Sequence, residues 1–297
     1  MNQENLSMVY SWFLAIRPKT LVASIIPVTL AGSEFFPRAE NFPWIVLVGC
    51  FAFSILVQIG CNLANDYYDF LRGSDFNRKM APDRMVVNGK IKPQTMRFAF
   101  IFIFLLSFIV GWMTWYKSGA HMGMILVGVL SILFALAYTG GPFPLAYNGL
   151  GDLFVIIFFG FVALEGTTFV LSSSESLDYD SNFILSLGTG LIINNLLVIN
   201  NFRDVESDRL ANKRTIIVLF GRKIGVFLFI LSFGYVSLIL PIFFNFSYLN
   251  LFVFVPSILS LVVMLKAKQK KHFDWALVLS SFAILLFAWV NVIGYDH

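Results

Sequence analysis

Residues 44–69 read WIVLVGCFAFSILVQIGCNLANDYYD, a long apolar run that ends in a segment with two asparagines and two aspartates. About 20 predominantly apolar residues suffice for a helix to cross the hydrocarbon core of a bilayer, which is about 30 Å thick. Carboxylates are costly next to hydrocarbon unless a partner compensates their charge. The stretch therefore predicts a membrane-spanning helix with a charged ligand bound at its end.

The composition of the chain is that of a membrane protein. Of its 297 residues, 58% are hydrophobic and 13% are charged, whereas about 25% of the residues in a soluble domain are charged. The first apolar stretch follows the segment RPKT at Arg17 and has no cleavage site of the A-x-A type. We interpret it as a transmembrane helix and not as a signal peptide. Residues 1–297 are treated as one domain.

Nine windows are long and apolar enough to span a bilayer as helices. They cover residues 20–36, 43–63, 97–116, 119–138, 150–171, 183–201, 223–244, 249–265 and 276–294. The alternation of a transmembrane β-barrel is absent from them, and lipid offers no partner for unpaired backbone groups. The sequence thus predicts an all-α, polytopic membrane protein with nine transmembrane helices.

The positive charges are distributed unequally between the two sides predicted from these spans. Of the 21 Lys and Arg residues, all except Arg38 and Lys117 lie on the side of the N-terminus. By the positive-inside rule, the N-terminus and the long loops are cytoplasmic and the C-terminus is outside. We therefore expect a multi-pass protein of the inner (cytoplasmic) membrane. The net charge of +4 reflects this topology and does not indicate nucleic-acid binding.

The first acidic motif is NLANDYYDFLRGSD, residues 62–75. On a helix, residues three or four apart lie on one face, with about 5–6 Å between their Cβ atoms. Asn62, Asn65, Asp66 and Asp69 are spaced in this way, and Gln58 continues the same stripe one turn earlier. The motif therefore forms a polar stripe that reaches the cytoplasmic edge of the membrane.

The second acidic motif is NNFRDVESDRLANKRT, residues 200–215. Asn200, Asp204 and Asp208 recur at intervals of four and form one stripe, whereas Glu206 faces elsewhere. Both motifs end an apolar helix and lie on the same predicted side. Such helix ends are often simply solvated, but the matched spacing and side of the two motifs favour one shared site.

Four converging carboxylates would repel one another unless they surround divalent cations. Oxygen-only ligands suit a hard ion, and Mg²⁺ typically takes one or two carboxylates together with phosphate oxygens and water. Basic residues occur in both adjoining loops, namely Arg72, Arg78, Lys79, Arg84, Lys90, Lys92, Arg203, Arg209, Lys213 and Arg214. Acids to hold a metal beside bases to hold an anion predict a metal–diphosphate site.

These motifs resemble those of the UbiA superfamily of intramembrane aromatic prenyltransferases. The resemblance rests first on the segments NDYYD at 65–69 and DVESD at 204–208. RPKTLVASIIPVTLAG at 17–32 and YTGGPFPLAYNGLGD at 138–152 are similar to the 1,4-dihydroxy-2-naphthoate polyprenyltransferases within that superfamily. The resemblance covers about residues 17–225 and implies helices around a central cavity with cytoplasmic cap loops.

The resemblance also implies a reaction and its site residues. A polyprenyl group would pass from polyprenyl diphosphate to 1,4-dihydroxy-2-naphthoate, with loss of CO₂ and diphosphate, giving demethylmenaquinone. Asp66, Asp69, Asp204 and Asp208 would be catalytic and, with Asn65, would hold Mg²⁺. Diphosphate would be bound by Arg84, Lys213 and Tyr138. Substrate contacts are expected from Lys19, Asn62, Tyr67 and Tyr68. The partners are these substrates and the lipid bilayer.

Several alternatives stay open on the sequence. Another UbiA-type enzyme would use 4-hydroxybenzoate, haem or a chlorophyll-type acceptor, and a cation-coupled secondary transporter would place acids near the bilayer midplane. A non-catalytic membrane scaffold would leave the paired motifs unexplained. Glu165, in an apolar span, either contacts the aromatic acceptor or is a hydrogen-bonded structural acid. The segment TGGPFPLAYNGLG at 139–151 is either part of a cap or pocket wall or a plain connector.

Overall fold

The computed structural model describes residues 3–74 and 84–293, and of residues 3–7 it describes the backbone alone. Within these ranges every regular element is helical, and the β-contact present is a single bridge between Asn148 and Arg214. The helices, in chain order, are α1 Gln3–Ile16, α2 Val22–Phe35, α3 Trp44–Leu71, α4 Pro93–Ser118, α5 Gly123–Ala137, α6 Gly151–Ser174, α7 Phe183–Leu210, α8 Ile216–Phe220, α9 Arg222–Phe243, α10 Tyr248–Lys266 and α11 Lys270–Ile293. The all-α prediction is confirmed.

Each predicted span coincides with one of these helices. Within the described residues, seven helices are long and apolar enough to cross a membrane, and the pair Met8–Thr20 and Val22–Arg38, bent by 49°, makes up to eight. Helix α5 has 15 residues and extends over about 22 Å at 1.5 Å per residue, which is less than a hydrocarbon core. The structure thus supports seven or eight spans, and the count of nine stays a prediction.

The exterior of the bundle is apolar. On α4, for example, Phe98, Phe102 and Leu105 are 72%, 64% and 59% exposed. Exposed apolar side chains at this density are typical of helices whose outer face meets lipid. Together with the lengths of the helices, this identifies a multi-pass membrane protein.

Helix α7 lies at the centre of the bundle. In its most apolar window 72% of the residues are buried, against 17% for α4. Glycines allow α6 and α7 to approach closely. A Cβ at Gly160 would lie 2.4 Å from the backbone oxygen of Ser186, and one at Gly190 would lie 2.5 Å from the backbone oxygen of Ile156. Small residues allow such backbone approach between membrane helices. The helix that ends in the second acidic motif is therefore held rigidly.

Glu165 lies in this α6–α7 contact, at the end of a π-helical segment, Ile156–Glu165. Its Oε2 accepts a hydrogen bond from the Tyr179 hydroxyl at 2.6 Å, and its Oε1 accepts one from the Ser186 hydroxyl at 2.5 Å. Burial, followed by this contact with Glu165, raises the pKa of Tyr179 above its ordinary value. Of the two interpretations of Glu165, these contacts favour the hydrogen-bonded structural acid.

The loops that follow the two acidic motifs meet at one end of the bundle. Residues 84–92 return over the end of α3, where Met85, Val86 and Ile91 are buried. The segment 138–150 lies against both motifs, and Tyr147 within it is buried. Arg78 and Lys79, expected among the surrounding cations, lie outside the described residues. This end of the bundle is called the motif end below.

Candidate functional site

An apolar cavity of about 320 Å³ runs between α3, α4, α5, α6 and α7. On α3 its lining extends from Cys50 to Asn65, a separation of 15 residues, or about 22 Å along the helix. Asn65, Tyr138 and Asn200 line the motif end, whereas Cys50, Trp115 and Thr167 line the opposite end. The cavity therefore crosses much of the membrane and contacts both acidic motifs at one end.

The carboxylates of both motifs are buried at the motif end. Asp66, Asp69, Asp204 and Asp208 are between 2% and 4% exposed. Because buried charges need partners, the contacts of each carboxylate identify the groups that position it.

In the first motif, protein donors fix both carboxylates. Asp66 accepts the backbone N–H of Met85 at 3.1 Å and that of Val86 at 3.5 Å. Asp69 lies 3.3 Å from Arg84 Nη2 and accepts a hydrogen bond from the Tyr147 hydroxyl at 2.8 Å. The loop after α3 thus folds back to hold the acids that precede it.

The asparagines of the first motif have different partners. Asn62 donates from Nδ2 to the Ile16 oxygen at 2.8 Å and to Thr20 Oγ1 at 3.0 Å, which ties the turn between α1 and α2 to α3. The Oδ1 of Asn65 accepts the Thr139 hydroxyl at 2.6 Å. The Nδ2 of Asn65 has no hydrogen-bond partner among the described residues, and this side chain lines the cavity.

In the second motif, cations hold the acids. Arg203 and Asp204 form a buried bidentate pair, with both N···O distances at 2.8 Å. Lys213 Nζ lies 4.0 Å from Asp208 Oδ1, and the backbone N–H of Lys213 donates to the backbone oxygen of Asp208 at 2.8 Å. Arg203 therefore positions Asp204, whereas Lys213 places a positive charge beside Asp208.

Tyr147 joins the two motifs. Its hydroxyl reaches Asp69 in the first motif, and its backbone oxygen accepts the N–H of Arg214, in the second, at 3.0 Å. Its ring lies between Arg72, at 4.9 Å from the ring centroid, and Lys213, at 5.3 Å. Burial and the adjacent Asp69 carboxylate raise the pKa of Tyr147, so the hydroxyl stays protonated and donates.

Arg72 fixes the segment that carries Tyr147. Its guanidinium donates to the oxygen of Thr139 and, at 2.8 Å, to that of Gly141. The segment 139–151 is thus bound to both motifs, which favours a cap over a plain connector, and none of its residues lines the cavity. The sequence did not point to Tyr147 or to the structural role of Arg72, because neither residue is an acid in a recognisable spacing.

The remaining expected site residues divide into two groups. Arg84, Lys213 and Tyr138 lie beside the carboxylates or line the cavity, as a diphosphate site requires. Tyr67 and Tyr68 instead pack against Phe100 of α4, with ring centroids 5.5 and 5.9 Å away, and neither lines the cavity. Lys19 is exposed and does not line it either.

The donor set suits Mg²⁺ in kind. The two carboxylate pairs offer only oxygen ligands, and within the described part of the chain no three acidic, His or Cys side chains form a ready-made metal cluster. Mg²⁺ usually completes its shell with phosphate oxygens and water after taking one or two carboxylates. A diphosphate brought between the two pairs would supply those oxygens.

The sequence matches the profile of the UbiA prenyltransferase family over residues 25–290. The 1,4-dihydroxy-2-naphthoate octaprenyltransferase of Haemophilus influenzae is 33% identical to it over 227 residues, which cover 74% of this chain and 71% of that one. The protein of the same name in Escherichia coli is 30% identical over 225 residues, covering 74% and 72%.

Solved structures share the fold. A UbiA homologue from Aeropyrum pernix aligns with a TM-score of 0.64 at 16% identity, covering 92% of this chain and 97% of that one. A UbiA homologue from Archaeoglobus fulgidus, bound to DMAPP and Mg²⁺, aligns with a TM-score of 0.59 at 13% identity, covering 95% and 99%.

Proposed function

We propose, since this chain belongs to the UbiA prenyltransferase family, that it is a membrane prenyltransferase acting on 1,4-dihydroxy-2-naphthoate. It transfers the prenyl group of a polyprenyl diphosphate to the ring, with release of diphosphate and CO₂. The names of the relatives support this acceptor over 4-hydroxybenzoate. The product is demethylmenaquinone in its quinol form.

One observation carries the proposal. Two pairs of buried carboxylates, on α3 and α7, lie at the motif end of an apolar cavity whose lining extends about 22 Å along α3. A diphosphate needs the charged end and a prenyl tail needs the apolar remainder. A transporter would place its acids near the midplane, and these four acids lie at one end.

The chain's own residues position the diphosphate. Asp66 and Asp69 on one side and Asp204 and Asp208 on the other would hold Mg²⁺, which when bound supplies positive charge for the leaving group. Arg84 and Lys213 lie beside Asp69 and Asp208 and are placed to contact phosphate oxygens. Asn65 was expected as a metal ligand, but its Oδ1 is engaged by Thr139, so we assign its Nδ2 to the diphosphate.

In the reaction, the bond between the prenyl C1 and the diphosphate oxygen breaks, and its electron pair leaves with the diphosphate. The ring carbon that bears the carboxylate forms the new bond to C1. The bond from that carbon to the carboxylate then breaks, and its electron pair restores the aromatic ring as CO₂ departs. No external oxidant or base is needed for this sequence of steps.

The cavity protects the electron-deficient prenyl carbon from water. Its walls are mostly apolar and aromatic, with Phe134, Phe154 and Phe158 in mutual contact at 5.1–5.8 Å between centroids. An aromatic face stabilises a cation by roughly 0.5–2 kcal/mol. Phe108 and Trp112, which also line the cavity, are 41% and 48% exposed on its outer side, so a long tail could continue into lipid.

The proposal is tested by incubating the purified protein with Mg²⁺, a polyprenyl diphosphate and 1,4-dihydroxy-2-naphthoate. We expect prenylated naphthoquinol with one CO₂ and one diphosphate released per product, measured by mass spectrometry and phosphate assay. Turnover of 4-hydroxybenzoate without turnover of the naphthoate would overturn the acceptor assignment. No prenyl transfer to any aromatic acceptor would overturn the reaction.

A further inference from the structure

Besides Asn65, two carboxamide side chains line the cavity: Gln58 on α3, one turn before the first acidic motif, and Asn200 on α7, the first residue of the second motif. The Nδ2 of Asn200 donates to the Leu196 oxygen at 2.9 Å. The Nε2 of Gln58 donates to Asn62 Oδ1 at 3.3 Å, and Asn62 in turn is oriented by its own donation to a backbone oxygen. These bonds fix which atom of each carboxamide is the carbonyl oxygen.

Both carbonyl oxygens lack a hydrogen-bond partner among the described residues. Neither oxygen is sealed inside the protein, since both side chains border the cavity. Of the other polar groups that line it, the hydroxyls of Thr114, Ser131 and Thr167 each donate to a backbone oxygen of their own helix. Trp115 Nε1 and Asn65 Nδ2 also line it, and these are donors without a partner among the described residues. A hydrogen-bond acceptor left unpaired in apolar surroundings is costly. The cavity therefore offers two acceptors that await a ligand with O–H or N–H groups.

Both acceptors lie deeper along their helices than the acids of the motifs. Gln58 precedes Asn65 by seven residues, about 10 Å along α3, and Asn200 precedes Asp204 by four residues, about 6 Å along α7. The acids and the Nδ2 of Asn65 occupy the motif end, and the region beyond Gln58 is almost wholly apolar. A ring bound at this depth would lie between the diphosphate and the enclosed tail.

We propose that Gln58 and Asn200 bind the two phenolic hydroxyl groups of the acceptor, each carbonyl oxygen accepting one O–H. A 1,4-diol presents its hydroxyls on opposite edges of the ring, which matches acceptors on two separate helices. The assignment rests on the proposed function and names the subsite for its aromatic substrate. A site built to accept hydroxyl hydrogens discriminates strongly against an analogue that lacks one.

Equilibrium binding in detergent tests the subsite with three probes: 1,4-dihydroxy-2-naphthoate, 1-hydroxy-2-naphthoate and 4-hydroxy-2-naphthoate. In the wild-type chain each missing hydroxyl should weaken binding roughly tenfold, the effect of one lost hydrogen bond. Gln58→Leu and Asn200→Leu should each weaken the diol to a similar degree. One of the two analogues lacks the hydroxyl that the substituted residue would bind. Each variant should bind that analogue with the same affinity as the wild-type chain does, as a double-mutant cycle requires.

The control variant is Ser131→Ala, which removes a cavity-lining hydroxyl that bonds only its own helix and should leave all three affinities unchanged. Affinity for polyprenyl diphosphate should also stay unchanged in the Leu variants, which shows that they fold. Substitutions that weaken all three probes equally, or none, would overturn the subsite. If the wild-type chain binds the analogues as well as the diol, the subsite also fails, and if it binds no naphthoate at all, the proposed function fails with it.

Discussion

Tyr147 is the residue whose replacement tests how the two acidic motifs act together. Tyr147→Phe removes the hydroxyl that donates to Asp69 at 2.8 Å and keeps the ring. Tyr147→Leu also removes the ring contacts with Arg72, at 4.9 Å, and Lys213, at 5.3 Å. The two variants thus separate the contact with one motif from the bridge between both.

The expected magnitudes follow from these contacts. A hydrogen bond to a charged group contributes about 1.5–3 kcal/mol, which corresponds to roughly a 10- to 150-fold loss of kcat/KM at about 1.4 kcal/mol per factor of ten. Each cation–π contact adds about 0.5–2 kcal/mol. We therefore expect the loss from Tyr147→Leu to exceed that from Tyr147→Phe by about tenfold or more.

Steady-state prenyl transfer, with each substrate varied in turn, measures these losses. The effect should fall on kcat and on KM for the prenyl diphosphate, because Tyr147 does not line the cavity where the ring would bind. Tyr116→Phe is the matched control, since Tyr116 is 77% exposed on α4 and its hydroxyl should not affect turnover.

A double variant shows whether the effect passes through Asp69. In an Asp69→Asn background, Tyr147→Phe should cause little further loss, because its charged partner is already removed. Wild-type kcat/KM in Tyr147→Phe, or fully additive losses in the double variant, would refute the role given to Tyr147.

Three further predictions concern stability and Glu165. Arg203→Leu removes the bidentate partner of the buried Asp204 carboxylate and should lower the unfolding free energy by about 3–5 kcal/mol. The control Arg209→Leu removes one member of an exposed pair and should leave the unfolding free energy nearly unchanged. Equal effects of the two substitutions in chemical denaturation would contradict this prediction. Glu165→Gln should keep near wild-type turnover, because both of its oxygens accept hydroxyl groups away from the cavity, and a large loss of turnover would assign it to the reaction instead. Gly190→Ala should lower the unfolding free energy by about 1–3 kcal/mol, since its Cβ would lie 2.5 Å from a backbone oxygen of α6; unchanged stability would argue against that close packing.

The helices were predictable because hydrophobic length and spacing determine them locally. The helix predicted over residues 43–63 extends in the structure over Trp44–Leu71, and the one predicted over 183–201 extends over Phe183–Leu210. Both extensions carry an acidic motif whose intervals of three and four already indicated helix. Helix α1 was not predicted, because its first residues are polar and the apolar residues that follow are too few for a membrane span.

The partners of the site residues were not predictable, because they come from distant parts of the chain. Tyr147 is 78 residues from Asp69, and Thr139 is 74 residues from Asn65. Tyr67 and Tyr68 lie inside the first motif, yet they face α4, because the helix face that directs Asp66 and Asp69 toward residues 84–86 and Tyr147 directs the neighbouring side chains away. Spacing therefore predicted which acids share a face, and tertiary packing decided what each one contacts.

The central claim is that the two acidic motifs form one diphosphate site, and Mg²⁺-dependent binding of a polyprenyl diphosphate tests it most directly. Equilibrium binding to the wild-type chain should tighten when Mg²⁺ is added. That increase should disappear in Asp69→Asn and equally in Asp208→Asn, while Glu206→Gln, an exposed acid on the same helix as Asp208, should retain it. If either Asp variant keeps the full Mg²⁺-dependent increase, the motifs do not share one site and the account is wrong.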